Sequence, residues 1–220
     1  MRRSWRWKIG RNVPYPRRVS GGAFEIEPTK FGHPVQNLGA NLGLFWCLDA
    51  PVSGGDVGAR DAKLAIMIGG DAPVVARAMQ LFKRMGSKIA HLGLRGAGQH
   101  TKMANQIAIA STVMGVCESL SCAQAAGLDA AQVLEVIGTG AASSFQLNVL
   151  GPKMIQGDFA PGFFVHHFVK DMSIALAESE VLGVDLPGLA LARQLLEKLM
   201  QSGHANDGTQ GLFQLYSSRK

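Results

Sequence analysis

Cysteine is scarce in this chain, and long uncharged apolar runs are missing. The three cysteines, Cys47, Cys117 and Cys122, are odd in number and lack CxxC spacing, which argues against a disulfide framework and gives no zinc signature. Such usage fits a reducing compartment. No apolar run approaches the roughly 20 residues of a membrane span, and no secretory apolar region follows the first arginines, so a soluble chain without membrane partners is expected. Repeats and low-complexity tracts are also absent, since the 27 glycines fall as separated turn and cap signals. Of the six histidines only His166 and His167 are adjacent. Neighbours on a helix point about 100° apart, which suits surface or core-edge histidines better than one shared metal, and no metal is expected.

Acidic residues are missing from one place only. Residues 1 to 20 hold Arg2, Arg3, Arg6, Lys8, Arg11, Arg17 and Arg18 with no acid, while the other 200 residues are near neutral despite the overall net charge of +6. The basic charge therefore belongs to the tail. An Arg-rich, acid-free start suits a mitochondrial presequence, yet two serines and the interruptions at Pro14 and Pro16 suit a poorly ordered extension or an altered gene start equally well. Cytoplasmic and mitochondrial locations both stay open. Nucleic-acid binding is not expected, because the arginines lack a reader fold.

Residues 1–44 follow neither helical nor strand period and read as a poorly ordered basic segment. From Leu44 the pattern changes. Leu44 to Leu48 predicts a short strand entering the Asp49-Ala50-Pro51-Val52-Ser53-Gly54-Gly55 loop, Leu64 to Ile68 a second buried strand, Pro73 to Met85 a helix and Lys88 to Leu92 a third strand. Past Gly98 the strand signals stop. A long helix is predicted from about Gln99 to Ala126, closed by Gly127, with Asp129 capping the next as far as Ile137. Ser143 or Ser144 starts another toward Gln156, Phe164 to Leu182 ends at Gly183, Pro187 opens one ending before Gly203, and a short helix covers Gly208 to Tyr216. The predicted division is 1–44, 45–95 and 96–220: a few strands, then helices.

Three clusters carry candidate chemistry. Ser53-Gly54-Gly55 after a strand offers backbone N–H groups and a hydroxyl to a carboxylate, although such a turn is often only structural. Helical spacing puts Lys102, Asn105 and Gln106 on one face, where an amine beside amides suits holding and deprotonating a hydroxyl; a solvated lysine is the plain alternative. Placement near a helix start and desolvation both lower a lysine pKa. Lys170-Asp171 lies on a largely apolar helix, suited to an anion or to simple snorkelling. Gly96-Ala97-Gly98 imitates a dinucleotide fingerprint, but its sixth position is Thr101, and the acid about 20 residues on, Glu118, sits inside an apolar helix. Gly138-Thr139-Gly140 fails as well, and the sequence holds no GxGxxG.

Taken together, from about Leu48 to Tyr216, these motifs resemble the β-hydroxyacid dehydrogenase family, which includes 3-hydroxyisobutyrate dehydrogenases and glyoxylate or tartronate semialdehyde reductases. The resemblance implies the end of a Rossmann sheet, an α/β remnant, followed by an all-α domain like the C-terminal domain of 6-phosphogluconate dehydrogenase. It further implies NAD or NADP as cofactor, a small hydroxy acid or semialdehyde as substrate, and a homodimer or tetramer. By the same resemblance Lys102 would be the acid/base, Ser53, Gly54, Gly55, Asn105 and Gln106 would bind substrate, and Lys170 would lie on the cofactor side. Two departures stand out. Gln106 replaces the family's usual second asparagine, and the residues before Asp49 are too few for the βαβ units that carry GxGxxG. The competing expectation is a truncated, impaired product that acts only as a folded dimerisation or interaction domain.

Overall fold

A computed structural model describes residues 14–18, 24–28 and 46–217. The first two stretches are strands, β1 (Pro14–Arg18) and β2 (Phe24–Pro28), paired antiparallel with Pro16 opposite Ile26. The sequence reading assigns no element there; the Phe-Glu-Ile-Glu alternation of β2 is too short to stand out among glycines and prolines. The rest of the 1–44 segment, with the arginines at positions 2 to 11, lies outside the described residues.

The chain divides into two compact units, Met1–Ser53 with Asp61–His100, and Gly54–Arg60 with Thr101–Lys220. In the first, β3 (Val52–Ser53), β4 (Leu64–Gly69) and β5 (Gly86–Gly93) form one sheet in that order, β3 antiparallel and β5 parallel to β4. Parallel neighbours need a crossover, here the helix Ala72–Phe82. Leu64, Ile66 and Ile68 point alternately from β4 into a small core with Val75 and Phe82 of that helix.

The expected strand at Leu44–Leu48 is corrected where it can be seen. Residues 46 to 48 carry no strand; Leu48 packs against the small core of the sheet, and the next residue, Asp49, forms an isolated bridge to Gly69. Composition misled here because Trp46 is exposed, with the Arg77 guanidinium 3.9 Å above its ring. A cation holds the indole where the apolar run suggested burial.

A short helix, α1 (Gly55–Arg60), follows β3, and the crossover helix is α2. Next come α3 (Ala97–Ala125), α4 (Ala130–Ile137), α5 (Gly151–Gln156), α6 (Val165–Leu182), α7 (Pro187–Leu199) and α8 (Gln214–Ser217). Several of the predicted helix ends are found. Gly127 and Gly183 adopt positive φ, and the Ala131 N–H donates to the Asp129 carboxylate at 2.9 Å. Ser144 caps as expected, its Oγ accepting from the Leu147 N–H at 3.0 Å. The helix it starts is split, however, into a π-helical stretch, Gln146–Leu150, and then α5. Pro152 has no N–H to give the Asn148 carbonyl, so the ladder slips one residue and the Gly151 N–H bonds the Gln146 carbonyl.

The helical unit has its own core, in which Val113, Cys117 and Leu120 of α3 meet Phe168 and Met172 of α6 and Leu196 of α7. By length and hydropathy α3 would pass as a membrane span. It carries Lys102 and Glu118, and its inner face is packed into this core. Burial and the neighbouring Glu118 push the Cys117 thiol up to about 12, which leaves it an inert core residue.

Candidate functional site

The Ser53-Gly54-Gly55 loop closes β3 and opens α1. Gly54 and Gly55 have φ of 128° and 63°, conformations that L side chains rarely adopt, so both positions call for glycine. Both are exposed.

Four residues before Ser53, Asp49 does something the sequence did not announce. Its Oδ1 accepts from the Gly96 N–H at 2.8 Å and its Oδ2 from the Gln99 N–H at 3.0 Å. The carboxylate thus caps the first turn of α3 from a loop far back in the chain, where negative charge also complements the helix dipole. Its seat requires glycine on two sides. A Cβ on Gly69 would come within 2.5 Å of Asp49 Oδ1, and one on Gly98 would fall on the Met67 carbonyl oxygen and within 2.8 Å of Asp49 Oδ2. Asp49→Ala is expected to cost about 1–3 kcal/mol, because it strips both N–H groups of their acceptor. Asp49→Asn, which keeps one acceptor oxygen, is expected to lose less; equal losses in urea unfolding would refute the capping account.

One turn into the helix, Lys102, Asn105 and Gln106 share a face, as their spacing requires. Facing them on α6 is Lys170-Asp171. Gln106 is 3% exposed, and both ends of its amide are engaged: Asn105 Nδ2 donates to Gln106 Oε1 at 2.9 Å, and Gln106 Nε2 donates to Asp171 Oδ2 at 2.7 Å. Asp171 Oδ1 lies 2.7 Å from Lys170 Nζ. Lys102 is partly buried, and desolvation holds its pKa below the ordinary lysine value; Asp171 opposes that shift and Lys170 adds to it. The snorkelling alternative for Lys170 is half right, since its side chain is 46% exposed while its ammonium stays on Asp171.

The remaining features fall outside this cluster. His166 is tethered through Nδ1 to the Ala205 carbonyl at 2.8 Å and His167 is exposed, as expected of core-edge and surface histidines. Among the described residues no group of three or more His, Cys, Asp or Glu could hold a metal ion. A groove of about 490 Å³ lined by Leu134, Leu147, Pro152 and Ile155 contains none of the cluster.

Among the described residues of the first unit, neither helix start offers a free seat to a dinucleotide pyrophosphate. Helix α2 begins on Asp71, whose carboxylate already lies 3.8 Å from Arg95, and at the start of α3 the Gly96 and Gln99 N–H groups are taken by Asp49. The described donors instead suit the reacting end of a small hydroxylated molecule: an amine with a lowered pKa beside amides and a second lysine.

The described residues thus form a parallel strand pair whose last strand leads through a glycine turn into a helical unit, with that amine one turn in. Comparison with known proteins gives the family. Residues 96–216 match the NAD-binding region of NADP-dependent 3-hydroxyisobutyrate dehydrogenase, and residues 37–93 match the NAD-binding domain of 6-phosphogluconate dehydrogenase. The chain belongs to the β-hydroxyacid dehydrogenase family, whose cofactor is NAD(P). It is 51% identical to an uncharacterized oxidoreductase of Bacillus subtilis over 78% of this chain and 60% of that protein. It is 50% identical to a probable mitochondrial 3-hydroxyisobutyrate dehydrogenase-like protein of Arabidopsis thaliana over 75% and 49%. Among solved structures it resembles the 3-hydroxyisobutyrate dehydrogenase of Mycobacterium tuberculosis with L-serine, at 30% identity and a TM-score of 0.75, covering 82% of this chain and 64% of that one. The chain thus spans from about half to just under two thirds of the length of these relatives.

Proposed function

We propose that this chain provides the acid/base and substrate-carboxylate residues of an oxidoreductase that interconverts a small hydroxy acid and its carbonyl form, with Lys102 as the acid/base. The observation that carries this reading is the setting of Lys102, where burial favours a neutral amine on the same helical face as Asn105. In the oxidative direction the substrate hydroxyl proton passes to Lys102 Nζ as the carbonyl forms; in the reductive direction Lys102 returns it. NAD(P), when bound, would accept or supply the hydride that balances the step. Ser53, Gly54 and Gly55 hold the substrate carboxylate, Asn105 orients its hydroxyl with Gln106 behind it, and Lys170 lies toward the cofactor. The active form is a homodimer or tetramer built through the helical unit, on which Val136 and Phe145 are exposed.

The sign of the pH dependence follows from this assignment. Oxidation needs neutral Lys102, so kcat/KM is expected to rise with pH and level off at a midpoint below the ordinary lysine value. Lys170→Gln removes a like charge and is expected to move that midpoint upward. A midpoint that stays put or falls in Lys170→Gln would remove Lys102 from the role of base. A second reading, a folded dimerisation or interaction domain, is favoured by the closure of both helix starts to a pyrophosphate. It predicts no NAD(P)H consumption by the isolated chain at any pH.

A further inference from the structure

We propose that Gln106 and Asp171 act as a positioning pair behind Lys102: Gln106 bridges α3 to α6 and fixes the Asp171 carboxylate so that it serves Lys102 and Lys170 together. The inference rests on the reading of Lys102 as acid/base and goes beyond it by moving Gln106 out of direct substrate contact.

Geometry carries it. A side chain 3% exposed whose oxygen accepts from Asn105 and whose nitrogen donates to Asp171 is held from both ends by protein. An asparagine at this position would be one methylene shorter; the glutamine lets the amide reach across to α6. Asp171, 18% exposed in its side chain, has one oxygen on Gln106 and the other on Lys170. A carboxylate with both oxygens committed cannot swing to solvent, and a buried polar group left unmatched is costly, so the arrangement is stiff. Its consequence is electrostatic. Asp171 and Lys170 both act on Lys102, and His167, one turn back on α6, faces the same two charges. Their effects on Lys102 are opposite in sign, so the orientation of the carboxylate decides the balance. Gln106 therefore tunes Lys102 through Asp171, and the same bridge fixes the Asn105 amide that faces the substrate hydroxyl.

The test follows Lys102 itself and needs no turnover. The full chain is labelled with trace acetic anhydride across a pH series, and the Lys102 peptide is quantified by mass spectrometry, which yields the midpoint of its titration. Asp171→Asn is expected to lower that midpoint by about one pH unit. Gln106→Met, which fills the same space without an amide, is expected to lower it by a smaller amount with the Asp171 charge still in place. Circular dichroism checks that each variant is folded. An unchanged midpoint in folded Gln106→Met overturns the proposal, whatever Asp171→Asn does; should Gln106→Met fail to fold, an unchanged midpoint in Asp171→Asn overturns it. Failure of the acid/base reading shows differently, as turnover that survives loss of Lys102 while these shifts persist.

Discussion

Replacing Lys102 by alanine is expected to lower turnover by about 10²–10⁴-fold, the range of a positioned general acid or base. The loss is expected in kcat rather than in cofactor affinity, because in the proposed role Lys102 acts on the hydroxyl proton in the transition state. Assays at saturating NADH or NADPH separate the two, since weak cofactor binding alone would appear in KM. Lys102→Arg sharpens the test. Arginine keeps the positive charge but cannot give up its proton at working pH, so it is expected to be nearly as inactive as alanine. Activity retained in Lys102→Arg would show that Lys102 contributes charge and not proton transfer.

Gly98→Ala is expected to destabilise the first unit by about 3 kcal/mol, the upper range for overpacking. Two effects compete. Alanine gains about 1 kcal/mol of helix propensity over glycine, but its Cβ here falls on the Met67 carbonyl oxygen and crowds the Asp49 carboxylate, neither of which is the free end of a flexible side chain. The clash wins. Gly115, on the same helix, supplies the control, because a Cβ added there would meet nothing within 4 Å. Gly115→Ala is expected to be neutral or to stabilise by up to about 1 kcal/mol. Urea unfolding of the two variants decides the matter, and equal effects would show that the close approach at Gly98 carries no energetic weight.

Much of the helical unit was legible because its signals are local. Asp129, Gly127, Gly183 and Pro187 act within a few residues of themselves, so propensity and capping chemistry locate the helix ends without any knowledge of packing. The failures have equally specific causes. At Trp46 the apolar run suggested a strand, whereas the indole lies under Arg77. At Pro152 the missing N–H was visible, yet whether the chain would break or slip into a π-helical register depends on the turn before it. Asp49 was seen only as part of a motif, because its partners Gly96 and Gln99 lie far along the chain. Gln106 was legible as one more amide beside Lys102, but its hydrogen bond to Asp171 on another helix was not.

The sequence by itself determined that an amine and an amide share one helical face, that glycine occupies the positions after Ser53, and that no GxGxxG is present. Each of these follows from residue identity and a fixed period or spacing. The tertiary structure alone decided which charges surround Lys102, that Asp49 closes the start of its helix, and that Gln106 is buried between two partners. Such facts belong to pairs of residues far apart in the chain. Burial and Coulomb interaction depend on distance in space, and no local pattern encodes that distance.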